Sequence, residues 1–407
     1  MKKVVLILIG LSQSISGQSV SNSVYSQFGL GSFYDADFGD IPSLGGSGNA
    51  LPVNRNLNNL NPASLGEIGK NDFYFEIGGN GYRTAIRDNS NLNIRNNSQF
   101  SHIGIGFPVG KKSGLSFALT PYTSSRFQIN NYSVNLGNSS ETFTYGYTST
   151  GGLSKATVNF GIKQKKYWNW GIALSALFGK IETVENFLIA NSLTTFTSTS
   201  FYKGYQFQLG SQWKLRPNFT FGATLQFPSL VSASKTRSIT TVDSNETSAI
   251  VTDAKQPVNT FNLPFQWGNG IRWVFKKNWQ FTMDYNRSFW KSIASNSSYG
   301  TFKNQDVFAA GLFYQKQEEN KRIMHFSYSA GIRYDTGYLS VNTTPVKNYS
   351  VSIGVGVPLD RTKTQLNINY SYGIHGTLQN ELIRENYHKI GLILSYNGHW
   401  FEKRKFD

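Results

Sequence analysis

Apolar and polar positions alternate along most of the chain. Leu366, Ile368, Tyr370, Tyr372 and Ile374 interleave with Asn367, Asn369, Ser371 and Gly373. Phe219, Phe221, Ala223, Leu225 and Phe227 interleave in the same way with Thr220, Gly222, Thr224 and Gln226. Successive side chains of a strand point to opposite faces, so this pattern predicts strands with one greasy face and one small or polar face. About fourteen such segments, of roughly 9–15 residues, follow Lys70, and each is long enough to cross a bilayer when tilted.

A soluble sandwich also alternates, so the connections must separate the two architectures. Every second connection is short and polar: Gly110–Ser113, Lys165–Tyr167, Arg216–Asn218, Lys276–Asn278, Glu318–Asn320 and Leu359–Thr362. Those between are longer and rich in Ser, Thr and Asn: Asn130–Gly152, Ile181–Thr199, Thr236–Pro257, Ser288–Lys303, Gly337–Pro345 and His375–Glu385. Short turns on one rim and long loops on the other predict an all-β fold, a transmembrane antiparallel β-barrel of about 14 strands. An even strand number leaves both termini on the periplasmic, short-turn side. Trp168, Trp170, Trp213, Trp273, Trp279, Trp290, Trp400, Tyr122 and Tyr167 lie near strand ends, where interfacial aromatic girdles are expected.

The start of the chain fits export. Met1-Lys2-Lys3 is basic, Val4–Leu11 is an apolar run and Ser12–Gly17 supplies small polar residues, so cleavage before Gln18 is expected. Ile15 is larger than usual at its place before such a site. No later segment approaches the ~20 apolar residues of a membrane helix. The expected layout is a signal peptide over 1–17, an N-terminal segment over 18–70, an outer-membrane barrel over 71–401 and a basic tail over 402–407.

Composition narrows the chemistry. The chain has no cysteine, which excludes disulfides, thiolate metal sites and cysteine nucleophiles. Its five histidines are scattered, with no ligand spacing, so no metal site or cofactor is expected. A Gly-x-Ser-x-Gly elbow is absent, and the glycines of "GIGF" and "GVGV" sit within strands instead of opening a helix, so no enzyme is expected. Glycine there is expected to relieve crowding on the inner face or permit a kink. The formal charge of +16 is carried by Lys and Arg gathered at turns, as in Lys111-Lys112 and Lys276-Lys277. That arrangement suits outer-membrane lipid and lipopolysaccharide as partners and not nucleic acid. By alternation Glu76, Asp284, Arg333 and Asp335 point into the lumen, as a structural pairing network or as substrate contacts.

Several stretches together resemble the FadL superfamily of long-chain fatty-acid transporters. They are "SVYSQFGLGSF" at Ser23–Phe33, "GGSGNA" at Gly45–Ala50, "NLNPASL" at Asn59–Leu65, "GGLS" at Gly151–Ser154 and "MDYNRSFW" at Met283–Trp290. The nearer likeness is to a branch from Bacteroidota-like bacteria often labelled outer membrane protein transport protein. The resemblance implies that the segment over 18–70 folds into the lumen as a hatch, with Asn61, Pro62 and Ala63 as its gating motif. Pro62 fixes its own φ and biases Asn61 toward extended backbone, and Asn61 can satisfy nearby backbone groups. The implied function is hatch-gated diffusion of small hydrophobic, fatty-acid-like compounds through a monomeric barrel, with a lateral exit. The superfamily also implies an alternative: a non-transporting barrel that serves as a structural or partner-binding subunit of an outer-membrane secretion or assembly complex. A general porin is a third reading, and a lumen-filling segment disfavours it.

Overall fold

Fourteen antiparallel strands close into one barrel in the computed structural model. It describes residues 23–399 apart from 36, 136–141, 190–191, 244–245, 253–255, 294–299, 317–324 and 361–363. The expected signal peptide over 1–17, the tail over 402–407 and Trp400 lie outside the described residues. The barrel opens with β1 (Asp72–Arg87) and β2 (Leu92–Pro108). β3 is made of Ser113–Pro121 and Phe127–Asn135, followed by β4 (Thr142–Lys165), β5 (Trp168–Ile189) and β6 (Ser192–Arg216). β7 joins Phe219–Gln226 to Ser229–Asp243, and β8 joins Glu246–Thr252, Gln256–Leu263 and Gln266–Lys276. Then come β9 (Trp279–Ser288), β10 (Gln305–Gln315), β11 (Ser327–Asp335), β12 (Asn348–Pro358), β13 (Gln365–Gly376) and β14 (Arg384–His399). Each strand pairs with its neighbours in sequence, and β14 returns to β1 from Asp72↔His399 to Arg87↔Arg384.

The alternation sorts side chains as the lipid and the lumen require. Leu174, Leu312, Ile332, Val351, Ile353 and Ile390 are exposed on the outer wall. Asn159, Gln206, Gln212, Thr282, Ser352 and Asn369 are buried on the inner wall. Burying such polar groups demands partners, and the N-terminal segment supplies many of them.

Three expected loops are largely strand. β4, β5 and β6 span 24, 22 and 25 residues, whereas about 9–11 residues suffice to cross the bilayer. The ladder runs unbroken from Phe143↔Ile189 down to Lys163↔Asn169 beside the short turn, about twice the length that a bilayer requires. These stretches read as loops because both faces carry Ser and Thr. Threonine is nonetheless a good strand former, and the rings of Phe143 and Tyr145 pack at a tilt against Phe187 across the pair. Two girdle assignments also change. Trp290 is 2% exposed and packs inside with Leu30 and Phe33, and Tyr122 meets Phe33 edge to face. Trp168 and Trp273 remain exposed on the outer wall.

One strand leaves the wall. After Pro121 the chain turns inward, and Thr123-Ser124 pairs with Ser32-Phe33 of the N-terminal segment. Phe127–Asn135 then resumes against β4 alone. On the other side, β2 pairs with β3 only from Ile103 to Pro108. Leu92–Phe100 therefore has β1 on one edge and no strand on the other among the described residues.

Candidate functional site: the hatch and its seat

Residues from Ser23 to Lys70 fill much of the lumen. They form three short 3-10 turns, Val24–Gln27, Pro42–Leu44 and Pro62–Glu67, and the two-residue strand Ser32–Phe33, joined by irregular chain. The third turn shows how local chemistry builds the seat. Asn61, extended as a residue before proline should be (φ −129°, ψ 109°), caps the turn by accepting from the Ala63 N–H at 3.0 Å. Its amide Nδ2 donates to the carbonyls of Asn49 at 2.8 Å and Ser211 at 3.1 Å. One fully buried side chain thus ties the turn to itself, to the rest of the hatch and to β6.

Glycines make room for this contact. Gly161, Gly171 and Gly210 are direct cross-strand partners on β4, β5 and β6, and form a flat track on the inner wall. A Cβ on any of them would strike Pro62, and one on Gly210 would also strike Asn61. Gly104 and Gly106 likewise face Phe38 and Leu57 of the hatch. The strand glycines accordingly mark where the hatch backbone lies against the wall.

Charged groups fasten the hatch around the ring. Glu67 ends the Asn-Pro-Ala turn and meets Lys214 at 2.6 Å, Lys163 at 3.3 Å and the Asn169 amide at 2.9 Å. Burial alone would raise its carboxyl, but the hydrogen bonds from Lys214 and Asn169 and the two ammonium charges bring it below its ordinary value. Asp284 accepts from the backbone N–H groups of Gly48 at 2.8 Å and Asn49 at 2.9 Å, and from the Ser47 hydroxyl. Glu76 accepts from the Leu57 N–H and the Ser395 hydroxyl, with His102 at 3.6 Å beneath the Phe38 ring. Arg333 pairs with Asp35 of the hatch at 2.9 Å and with Asp335 at 3.8 Å, while Asp335 also accepts from Gln305 and the Gly337 N–H.

All four ionisable residues assigned to the lumen by alternation therefore point inward. Glu76, Asp284 and Arg333 touch the hatch directly, and Asp335 acts through Arg333. Sequence reasoning missed Glu67, Asp37 and Glu385. Asp37 pairs with Lys389 at 2.6 Å and Asn80 at 2.7 Å, and Glu385 receives the Ser23 hydroxyl, the Val24 N–H and His375. Glu67 lies six residues beyond Asn61, and Lys389 shares the inward phase of Ile393, so both signals were present in the pattern. Among the described residues no group of three or more His, Asp or Glu could hold a metal ion.

Apolar contacts lie in two layers. Phe38, Ile41, Val53, Leu57, Leu65 and Ile68 form the hatch's own core toward the short-turn rim. Toward the long-hairpin rim Leu30 and Phe33 sit among Leu153, Leu177, Val231, Leu263 and Trp290. A cavity of about 480 Å³ lies in the lumen, faced by Asn49, Asn97, Gln99, Gln208, Arg95 and Lys155 with several tyrosines. Its lining mixes these polar groups with apolar and aromatic side chains, among them Phe33, Leu60, Trp267, Trp290, Val307 and Leu339. A smaller one, about 140 Å³, lies beside Asp40 and Arg55. Desolvation raises Asp40 to about 6, against the opposing charge of Arg55.

Three comparisons place this arrangement among known proteins. A family model described as BamG matches residues 1–407. No curated protein matches the sequence. Solved structures of similar fold include the toluene transporter TodX of Pseudomonas putida, with a TM-score of 0.59 at 16% identity over 91% of this chain and 99% of that one. A Pseudomonas aeruginosa FadL homologue aligns at TM-score 0.59 and 11% identity over 91% of this chain and 100% of that one. The monoaromatic hydrocarbon channel CymD aligns at 0.57 and 13% over 92% and 100%. At these identities the likeness is one of fold.

Proposed function

The chain belongs to the BamG family, and from that premise we propose that it works as a plugged, partner-binding barrel of an outer-membrane assembly complex. The family name suggests association with the BAM complex. The observation that carries the reading is the fit of hatch to wall. Glu67, Asp284, Glu76 and Asp37 each bridge the two through hydrogen bonds or ion pairs. The hatch also fills an apolar part of the lumen, where Leu30 and Phe33 pack among Leu153, Leu177, Val231, Leu263 and Trp290. In this reading Asn61, Pro62 and Ala63 are the latch of a standing plug, and Glu76, Asp284, Arg333 and Asp335 anchor it.

The test is purification of the full chain from its native outer membrane under mild extraction, with mass spectrometry of both proteins and lipids. A stoichiometric envelope protein without bound fatty acid is the expected result. Bound fatty acid or a related lipid without a protein partner would overturn the proposal.

A second reading, passage of small hydrophobic compounds, rests on the inward turn of β3 at Tyr122–Arg126, which interrupts the wall, and on the fold shared with the toluene transporter. For such a route Leu30 and Phe33 would have to leave the apolar nest they occupy. Uptake of a monoaromatic compound into vesicles carrying the full chain discriminates it, since a plugged barrel gives only background uptake.

A further inference from the structure

The gap in the wall has a chemistry of its own. The hairpin bond from the Asp88 N–H to the Asn91 carbonyl sets the phase of the β1–β2 ladder. In that phase residues of β2 alternate between bonding β1 and pointing away from it. The N–H and C=O groups of Leu92, Ile94, Asn96, Ser98 and Phe100 all point into the gap. The inward turn of the chain after Pro121 removes the strand that would have paired with them. Facing them, Phe127–Asn135 has β4 on one side and no strand on the other among the described residues.

The two edges stand apart. Their Cα atoms are more than 8 Å from one another over nearly all of this length. Hydrogen-bonded neighbours lie about 4.8 Å apart, so one additional strand needs a separation of about 9.6 Å. The side chains along the β2 edge also divide by face. Leu92, Ile94 and Phe100 are exposed on the outer face with Asn96 and Ser98 between them, while Arg95, Asn97 and Gln99 line the lumen chamber. Arg95 has no acidic partner among the described residues. Across the chamber the Lys155 ammonium lies 5.5 Å from the centre of the Tyr122 ring and likewise lacks one.

We propose that this gap is a docking slot for an extended segment of a partner polypeptide, added as a strand to the free β2 edge. The proposal rests on the partner-subunit reading above and names the surface and chemistry it would use. Lipid acyl chains can neither donate to nor accept from the exposed backbone groups, whereas an added strand satisfies the whole row at once. The segment would present apolar residues to the membrane beside Leu92, Ile94 and Phe100. It would carry at least one Asp or Glu at an inward position, opposite Arg95 and Lys155.

The test uses the full chain in its native membrane, with a photoreactive phenylalanine analogue at Asn96 and, as control, at Ile353 on the far wall. The expected result is a crosslink at Asn96 only, to a partner peptide that alternates apolar and polar residues and contains an acid. Ser98→Pro removes a donor that faces the gap and leaves the β1 ladder intact, and Arg95→Glu opposes the acid. Each should cut the crosslink about tenfold, the effect of losing one charge-assisted or one to two ordinary hydrogen bonds. Retention of the heat-modifiable gel shift shows that each variant still forms its barrel. Crosslinks only to lipid, crosslinks within the chain itself, or full yield from both variants would overturn the slot. Should a partner still copurify in those cases, the parent reading stands without it. If no partner copurifies, both fall.

Discussion

Replacing Asn61 with alanine removes the residue at which the hatch is most concentrated. In the parent its Oδ1 holds the Ala63 N–H, and its Nδ2 holds the carbonyls of Asn49 and Ser211. The Ala63 N–H would be left in a fully buried turn without an acceptor, at a cost of about 1–3 kcal/mol. The Asn49 carbonyl keeps a second donor, the Gln212 amide at 3.0 Å. The Ser211 carbonyl loses its contact, which adds about 1 kcal/mol. The sum, about 2–4 kcal/mol, falls on hatch docking and not on the barrel ladder, so the undocked population should rise about 30- to 700-fold. Because the chain has no cysteine, Ser64→Cys supplies a single buried reporter in the same turn. Its maleimide labelling rate should rise by that factor in the Asn61→Ala background. Asn61→Ser, which restores a capping oxygen, should recover about 1 kcal/mol. Labelling at the parental rate in a correctly formed barrel would refute the reasoning.

Further expectations concern the rest of the seat. Gly210→Ala drives a methyl into Asn61 and Pro62, and should loosen the hatch by about 1–3 kcal/mol, read by the same labelling, with the barrel's melting unchanged. Glu67→Ala leaves Lys163 and Lys214 facing each other without their carboxylate; conductance of planar bilayers should become noisier and more sensitive to salt. Asp40 is raised to about 6 in the docked hatch from an ordinary 3.8. The docked state therefore binds its proton more readily than the released state, and docking strengthens as pH falls through about 6 toward 4. Protease protection of the hatch should follow that window, and Asp40→Asn should flatten it. The depressed carboxyl of Glu67 acts in the opposite sense, and its contribution is lost only below the ordinary carboxylate range.

The barrel was legible because lipid and lumen impose a strict two-residue period. Leu366–Ile374 could be sorted into faces from sequence alone, and so could Glu76, Asp284, Arg333 and Asp335. Partners were not legible, since alternation gives a direction and not a distance. Asp284 binds Gly48 across 236 residues, a pairing created only when the ring closes. The tall hairpins were hidden for a different reason. Beyond the membrane no greasy face is required, so β4–β6 lose their two-tone pattern while keeping their ladder. Trp290 was misplaced because an aromatic beside a charged residue fits an interface and a buried cluster equally well. The strand glycines carried the least obvious message, as their meaning depends on Pro62 lying against them.

The barrel's seam has a consequence for assembly kinetics. Asp72, where β1 begins, directly follows the hatch and pairs with His399 at the end of β14. The Ser23 hydroxyl also bonds Glu385, 362 residues away. The hatch thus finds final contacts in a strand that follows it by more than 300 residues. Such high contact order slows folding, because long loops must close before those contacts form. The hatch is too irregular and too closely fitted to thread a closed ring, so it should be seated before β1 and β14 zip. Ring closure then becomes the committing step, and mutations in the hatch should slow maturation of the barrel even where its final stability is unchanged.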